Sequence, residues 1–589
     1  MTHKPPNPTG LHKNLTAYGD AAFSLFLRKA FIKAAGYSDD ALSRPIVGIT
    51  NTHSDYNPCH GNVPDLVDSV KRGVLLAGGL PMVFPTLSIA ESFAHPTSMY
   101  LRNLLAMETE EMIRAQPMDA VVLIGGCDKN LPAQVMAAVS ANLPAIVLPT
   151  GPMLVGHYKG EVLGACTDCR RFWAAHRAGQ IDVAETELIS GRLCPTIGTC
   201  SSMGTASTMA LLVEALGLAL PLAAAAPAVS ADRRRIAEST GHRAAEIAVA
   251  HSPTPTDLLT PAAIRNAAIV LQASGGSTNA LIHLTAIAQR AGVPFSLAAF
   301  DRLSREVPVL LNLKPSGAHY MEHLHQAGGL PALLRELNPL LDTSVSTISG
   351  FTLAEIIAEA EEVPNPQDPA QAVIRTLASP LKKEGAMAIL HGNLAPHSAV
   401  IKHSAASPHL LRHTGRAIVF DGLEDLANRI DSPDLDVHAE DVLVLRNAGP
   451  VGAPGMPEAG YLPIPLKLAR AGVKDMVSIS DARMSGTAFG TIVLHIAPES
   501  AIGGPLAIVR TGDRIALDVE ARRIDLLLPD AEIAARLAAW QTNPPPREIP
   551  TRGYARLFHD HILQAPQGCD FDFLLRDGNT RSGKVTPSE

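Results

Sequence analysis

The residues of this 589-residue chain able to do chemistry lie in loops rich in Gly, Pro and small side chains. Cys127 stands in Gly125-Gly126-Cys127-Asp128-Lys129-Asn130, directly after an apolar run ending at Ile124. A thiol, a carboxylate and an amine are thus consecutive at the carboxyl end of a predicted strand. Cys59 stands in Asn57-Pro58-Cys59-His60-Gly61-Asn62, and Cys200 in Gly198-Thr199-Cys200-Ser201-Ser202-Met203-Gly204, each just ahead of a helical pattern. Helix N-termini favour the thiolate, and thiolates ligate soft metals and clusters. The three cysteines are far apart, with no compact ferredoxin or zinc spacing. Spacing alone leaves each of them open to a second reading, a buried core thiol. Their shared loop context favours ligands.

Cys166-Thr167-Asp168-Cys169 forms a CxxC pair. A zinc site needs a second such pair, and Cys194 alone does not supply it. We read Cys166 and Cys169 as having no function, and Cys194 and Cys569 likewise. Seven cysteines, sparse and odd in number, argue against a disulfide scaffold and for reduced, cytosolic thiols.

Three acids are candidate ligands for a hard cation. Glu91 follows an apolar run ending near Thr86, Asp128 follows Cys127, and Glu458 ends the loop Gly449 to Glu458. Mg²⁺ favours a few carboxylates together with substrate oxygens and water. Lys129 stands beside two potential metal sites; its plain reading is a counter-ion to Asp128. The segment Ser480-Asp481-Ala482-Arg483-Met484-Ser485-Gly486-Thr487 offers hydroxyls at Ser480, Ser485 and Thr487 around Arg483. A hydroxyl acts as a base only where a cation or donor stabilises its alkoxide. From this segment alone, a turn capping a helix is the simpler reading.

An α/β scaffold is predicted to position these loops. Pro81 to Thr86, Asp119 to Ile124 and Ala145 to Pro149 read as buried strands, and Pro64 to Ala77, Ser98 to Ala115 and Ala133 to Ala141 as helices. That alternation predicts a mostly parallel sheet, with ligands at the carboxyl ends of its strands. Residues 352 to 385 read as a helix, a polar connector at Pro364 to Pro369, and a second helix. We expect an α/β domain over 1–375 and a β-rich domain over 376–589. The latter has strand signals at Asp441 to Asn447, Val473 to Ile479, Leu506 to Val509 and Arg514 to Val519, and it carries the Glu458 and Ser485 loops.

Composition narrows the partners. The formal net charge is −8 and no long basic run is present, which argues against nucleic acid and anionic membranes. Aromatics make up only 4%, so the core is expected to be aliphatic. Met209 to Val229 is the most apolar stretch; Glu214 and Pro221 make it a buried helix followed by a loop. Met1 to Gly19 has no apolar stretch of the secretory kind. The expectation is a cytoplasmic protein acting on a small molecule.

Taken together, the motifs resemble those of the dihydroxy-acid and 6-phosphogluconate dehydratase family. The likeness runs from Gly10-Leu11 to about residue 560. It rests on Pro58-Cys59-His60, Gly126-Cys127-Asp128-Lys129, Gly198-Thr199-Cys200, Met203-Gly204-Thr205-Ala206, Gly275-Gly276-Ser277-Thr278-Asn279, Gly392-Asn393-Leu394-Ala395-Pro396, Gly455-Met456-Pro457-Glu458 and Asp481-Ala482-Arg483-Met484-Ser485-Gly486. Ala482, Met484 and the opening Leu15 to Asp20 segment look like the branch acting on pentonates such as L-arabinonate and D-xylonate. Ser201 and His397-Ser398 depart from that branch, where Asn and Asp-Gly are usual. The rival within the family is dihydroxy-acid dehydratase of branched-chain amino-acid synthesis.

The resemblance implies an α/β domain followed by a β-barrel-like domain. It implies that Cys59, Cys127 and Cys200 hold a [2Fe–2S] cluster with one iron open. Glu91, Asp128 and Glu458 would bind Mg²⁺, joined by Lys129, which the family carries as a carbamate. Ser485 would be the base, as an alkoxide, with Thr487 beside it. The product would be a 2-keto-3-deoxy acid, and the protein a homodimer or homotetramer.

Overall fold

The computed structural model describes residues 9–15, 17–362, 368 and 371–576. The chain is mixed α/β. Its first part is built on four strands: β1 (Ile46–Asn51), β2 (Leu80–Pro85), β3 (Ala120–Gly125) and β4 (Ala145–Pro149). They form one parallel sheet in the order β2-β1-β3-β4. β3 is buried along its whole length, as the continuous apolar run Ala120 to Ile124 requires of a strand covered on both faces.

Helices join the strands. α1 (Val63–Leu76) leads from β1 to β2, α2 (Ser98–Ala115) from β2 to β3, and α3 (Asn130–Ala141) from β3 to β4. Further along lie α4 (Thr167–Arg177), α5 (Thr205–Ala215), α6 (Ala231–Ala250) and α7 (Thr278–Ala291). α5 and α7 are almost entirely buried. Their small and aliphatic residues join the sheet in one aliphatic core. Met209 to Val229 holds the end of α5 and then a turn-rich loop. No helix among the described residues is long and apolar enough to cross a membrane.

The second part is a closed eight-stranded barrel. Its strands are β5 (Ala388–Gly392), β6 (Ala395–Ile401), β7 (Arg412–Asp421), β8 (Val442–Arg446), β9 (Ser478–Ser480), β10 (Ile492–Ala497), β11 (Arg514–Asp518) and β12 (Arg523–Leu526). The order around the barrel is β8-β9-β10-β6-β5-β12-β11-β7. Closure pairs every edge strand, and alternate residues such as Leu390, Ile401, Val444 and Ile479 gather in its core.

Three expectations need correction. Leu506 to Val509 is not a strand: Pro505–Ile508 forms a 3₁₀ turn, because Pro505 has no N–H to give a ladder and Gly503-Gly504 breaks the run. The Val473 run contributes only the short β9. Residues 371–385 form no α-helix; Ile374 and Lys382 instead bridge Leu311 and Val309, with Pro380 and Gly385 interrupting the stretch. The expected connector at Pro364 to Pro369 lies outside the described residues except for Asp368.

Candidate active site

The carboxyl ends of the parallel strands deliver the first set of groups. The chain leaves β1 into the Cys59 turn, β2 into the Glu91 turn and β3 into the Cys127 loop. Beyond β4, Pro152 pairs with Thr199 and brings in the Cys200 loop. Gly126 is required here, because a Cβ would fall 1.7 Å from Thr150 Oγ1.

His60 fixes the Cys127 loop. Its Nε2 accepts from the backbone N–H of Gly126 (2.9 Å) and of Cys127 (3.1 Å), and its Nδ1 lies 2.9 Å from the Thr52 carbonyl. The ring is therefore neutral with the proton on Nδ1, and burial pulls its pKa down to about 4. Its adjacency to Cys59 was the only sequence sign of this role.

One pair of thiols, Cys166 and Cys200, is in direct contact. Cys127 Sγ lies 3.6 Å from Asp128 Oδ1, and the neighbouring Cys59 thiol together with burial raises Cys127 well above the usual thiol range. Cys200 Sγ lies 3.0 Å from Cys166 Sγ. Sharing a proton raises Cys200 and lowers Cys166, whose thiolate also faces the Arg170 charge. Cys166, read from the sequence as having no function, is thus in contact with a candidate ligand. Cys169 turns away and accepts the Cys166 N–H at 3.2 Å, while Cys194 is exposed and Cys569 is buried beside Met456.

The acids gather next to the thiols. Glu91, Asp128 and Glu458 place one carboxylate oxygen each within 4.8 Å of one another. Two buried cations face them. Lys129 Nζ lies 2.6 Å from Asp128 Oδ2 and 3.5 Å from Glu91 Oε2. Arg483 Nη1 reaches Glu458 Oε1 at 2.6 Å, and its Nη2 reaches Glu91 Oε1 at 2.9 Å. Thr97 and Ser98 hydroxyls also donate to Glu91. Burial opposes ionisation of Glu91, yet Arg483, Lys129 and the two hydroxyls hold its carboxyl well below the ordinary range. Glu458 is pushed up, because burial outweighs the pull of Arg483 and the neighbouring Glu91 charge adds to it.

The barrel contributes two loops. The first follows β8 and ends at Glu458. The buried Glu499 carboxylate holds it by accepting from the N–H groups of Val451 and Gly452. The second follows β9. Asp481 pins its start by accepting from Ala448 N–H, Ser500 N–H and the Ser500 hydroxyl. Ser485 Oγ then lies 2.8 Å from Thr487 Oγ1. Asn279, at the start of α7, donates to the Met484 carbonyl at 3.0 Å and lies 3.5 Å from Glu458 Oε1. The Thr167 hydroxyl donates to the Thr487 carbonyl at 3.2 Å, tying α4 to the same loop. Gly486 packs so closely that a Cβ would fall 2.5 Å from Ser277 Cβ.

All nine residues singled out from the sequence therefore belong to one connected region: Cys59, Cys127, Cys200, Glu91, Asp128, Lys129, Glu458, Ser485 and Thr487. The donor types suit two tenants. Neighbouring thiols on loops suit an iron–sulfur cluster, and three converging carboxylates suit a small hard cation.

Fold and site define a class: an α/β unit and a closed β-barrel that bring thiols, carboxylates and hydroxyls together. Residues 44–356 match the N-terminal and residues 372–569 the C-terminal profile of the dihydroxy-acid/6-phosphogluconate dehydratases. The chain belongs to this family, and so to the hydro-lyases. A 6-deoxy-6-sulfo-D-gluconate dehydratase of Pseudomonas putida is 46% identical over 91% of this chain and 91% of its own. An L-arabinonate dehydratase of Rhizobium leguminosarum bv. trifolii is 45% identical over 95% of each chain. A dihydroxy-acid dehydratase of Moorella thermoacetica is 39% identical over 88% of this chain and 93% of its own.

Proposed function

We propose that this protein dehydrates a sugar acid, an aldonate of the pentonate kind, to the 2-keto-3-deoxy acid. The convergence of Ser485, the acid cluster and the cysteine loops supports this reading most directly. The higher identity to dehydratases named for sugar acids than to one named for a dihydroxy acid supports the choice of substrate class.

Cys59, Cys127 and Cys200 would hold a [2Fe–2S] cluster, and Glu91, Asp128 and Glu458, with Lys129, would hold Mg²⁺. When bound, these groups supply Lewis acidity to the leaving C3 hydroxyl and to the carboxylate and C2 hydroxyl. Ser485 takes the C2 proton at its Oγ. Thr487 Oγ1, 2.8 Å away, donates to that oxygen and stabilises it while it is anionic. Arg483 keeps Glu91 and Glu458 apart and aligned before the cation arrives. His60 holds the Cys127 loop without competing as a charge. We place the protein in the cytoplasm as a homodimer or homotetramer.

The deciding experiment is a panel of aldonates and 2,3-dihydroxyisovalerate scored for 2-keto acid formation. Turnover of aldonates supports the proposal. Turnover of dihydroxyisovalerate alone overturns the substrate class.

A further inference from the structure

We propose that Cys166 is a fourth thiol of the cluster site: in the substrate-free protein it shares an iron with Cys200, and a substrate hydroxyl displaces it. This rests on the proposed function, since it requires the cluster.

Cys166 stands paired with Cys200 at 3.0 Å, which leaves Cys59 and Cys127 for the other iron. A two-iron cluster asks for that pattern, one pair per iron. Two sulfurs at about 2.3 Å from one tetrahedral metal lie roughly 3.7 Å apart. The observed 3.0 Å is within an ångström of that. A shift this small needs no change of fold.

The backbone aims Cys166 at Cys200. Cys166 caps α4 with φ at +72°, a region disfavoured for any residue with a Cβ. Such strain persists only where the surroundings impose it. Here they do. Asp168 accepts from Gly164 N–H at 2.8 Å and from the Tyr320 hydroxyl at 2.8 Å, and it pairs with Lys314 at 3.2 Å. The turn is therefore fastened on both sides of Cys166. Cys169 faces the Cys166 N–H, at 3.2 Å, rather than Cys200.

Displacement is chemically simple. One iron–sulfur bond breaks and one iron–oxygen bond forms. The thiolate keeps its electron pair and remains beside the Arg170 cation, while the substrate oxygen supplies the new pair. No electron is transferred. Thr167, next to Cys166, donates to the carbonyl of Thr487, so displacement of Cys166 is felt directly in the Ser485 loop. A closed iron at rest would also deny dioxygen an open coordination position.

The test is Mössbauer spectroscopy of anaerobically purified, ⁵⁷Fe-loaded full-length protein, with and without the best aldonate of the panel. Wild type without substrate is expected to show two irons with all-sulfur coordination. Substrate should move one of them to a higher isomer shift. Cys166→Ala should show that shifted iron already without substrate and lose its cluster faster in air, while Cys169→Ala should match wild type. Iodoacetamide mapping should find Cys166 protected in the loaded protein and alkylated faster once substrate is added. An oxygen-ligated iron in substrate-free wild type overturns the inference and leaves the dehydratase reading intact. That measurement decides even if the alanine variant fails to fold. Absence of iron and sulfide from the protein overturns the cluster itself.

Discussion

Arg483 Nη2 lies 2.9 Å from Glu91 Oε1, so a loop of the barrel reaches directly into the end of the parallel sheet. The same guanidinium holds Glu458 at 2.6 Å and takes Thr97 Oγ1 as a third partner at 2.7 Å. Arg483 is fully buried. The planar fork presents a separate N–H group to each of two carboxylates, whereas an ammonium is a point charge.

Arg483→Lys is accordingly expected to leave one carboxylate unpaired beside its neighbours. Removing one partner from a buried charge pair costs about 3–5 kcal/mol, and the retained ammonium should recover part of it. Thermal unfolding should show a lower midpoint without added metal and partial recovery in Mg²⁺. A midpoint equal to wild type in both conditions would contradict the bridging role.

Ser485→Ala tests the base. The variant should keep wild-type iron and sulfide content and visible absorption, because the Ser485 hydroxyl bonds with Thr487 and is not among the thiol ligands. Its kcat should fall by about 10²–10⁴-fold, the range for a lost proton-transfer group. Turnover close to wild type would remove Ser485 from that role.

Lys402 sets a pH dependence. It is 1% exposed, its Nζ lies 3.3 Å from the Gly486 carbonyl, and burial alone pulls its pKa down to about 7. In the unfolded chain a lysine keeps its proton to about pH 10.4. Between those values the unfolded state binds more protons, so this group makes stability rise with pH. Below about pH 7 the folded state carries the full cost of the buried charge. Lys402→Met should therefore be more stable than wild type by roughly 3–5 kcal/mol near pH 6, with the gap closing toward pH 10. Denaturant unfolding at the two pH values reads this, and a gap independent of pH would show that Lys402 does not titrate in this window.

Much of the site was legible because its signals are local. Gly125 to Asn130 announces a loop after a strand, and the alternation of apolar runs and helical patterns announces the parallel sheet. Cys59, Cys127 and Cys200 share a context that any reader of the chain can see. The Leu506 run failed as a strand because Pro505 and the preceding glycines, which are also local, outweighed its apolar character.

Sequence alone determined which side chains stand at the strand ends and which chemistries they offer, since strand and helix periodicity act over a few residues. Tertiary structure alone decided who meets whom. Cys166 looked like half of an idle CxxC pair until the capping turn of α4 set it against Cys200 rather than Cys169. Arg483 was one polar residue among hydroxyls until barrel closure carried it to Glu91, and His60 was a neighbour of Cys59 until it was seen holding the Cys127 loop. Such meetings join residues distant in the chain, and their geometry is set by how the sheet and barrel pack together, which no local spacing encodes.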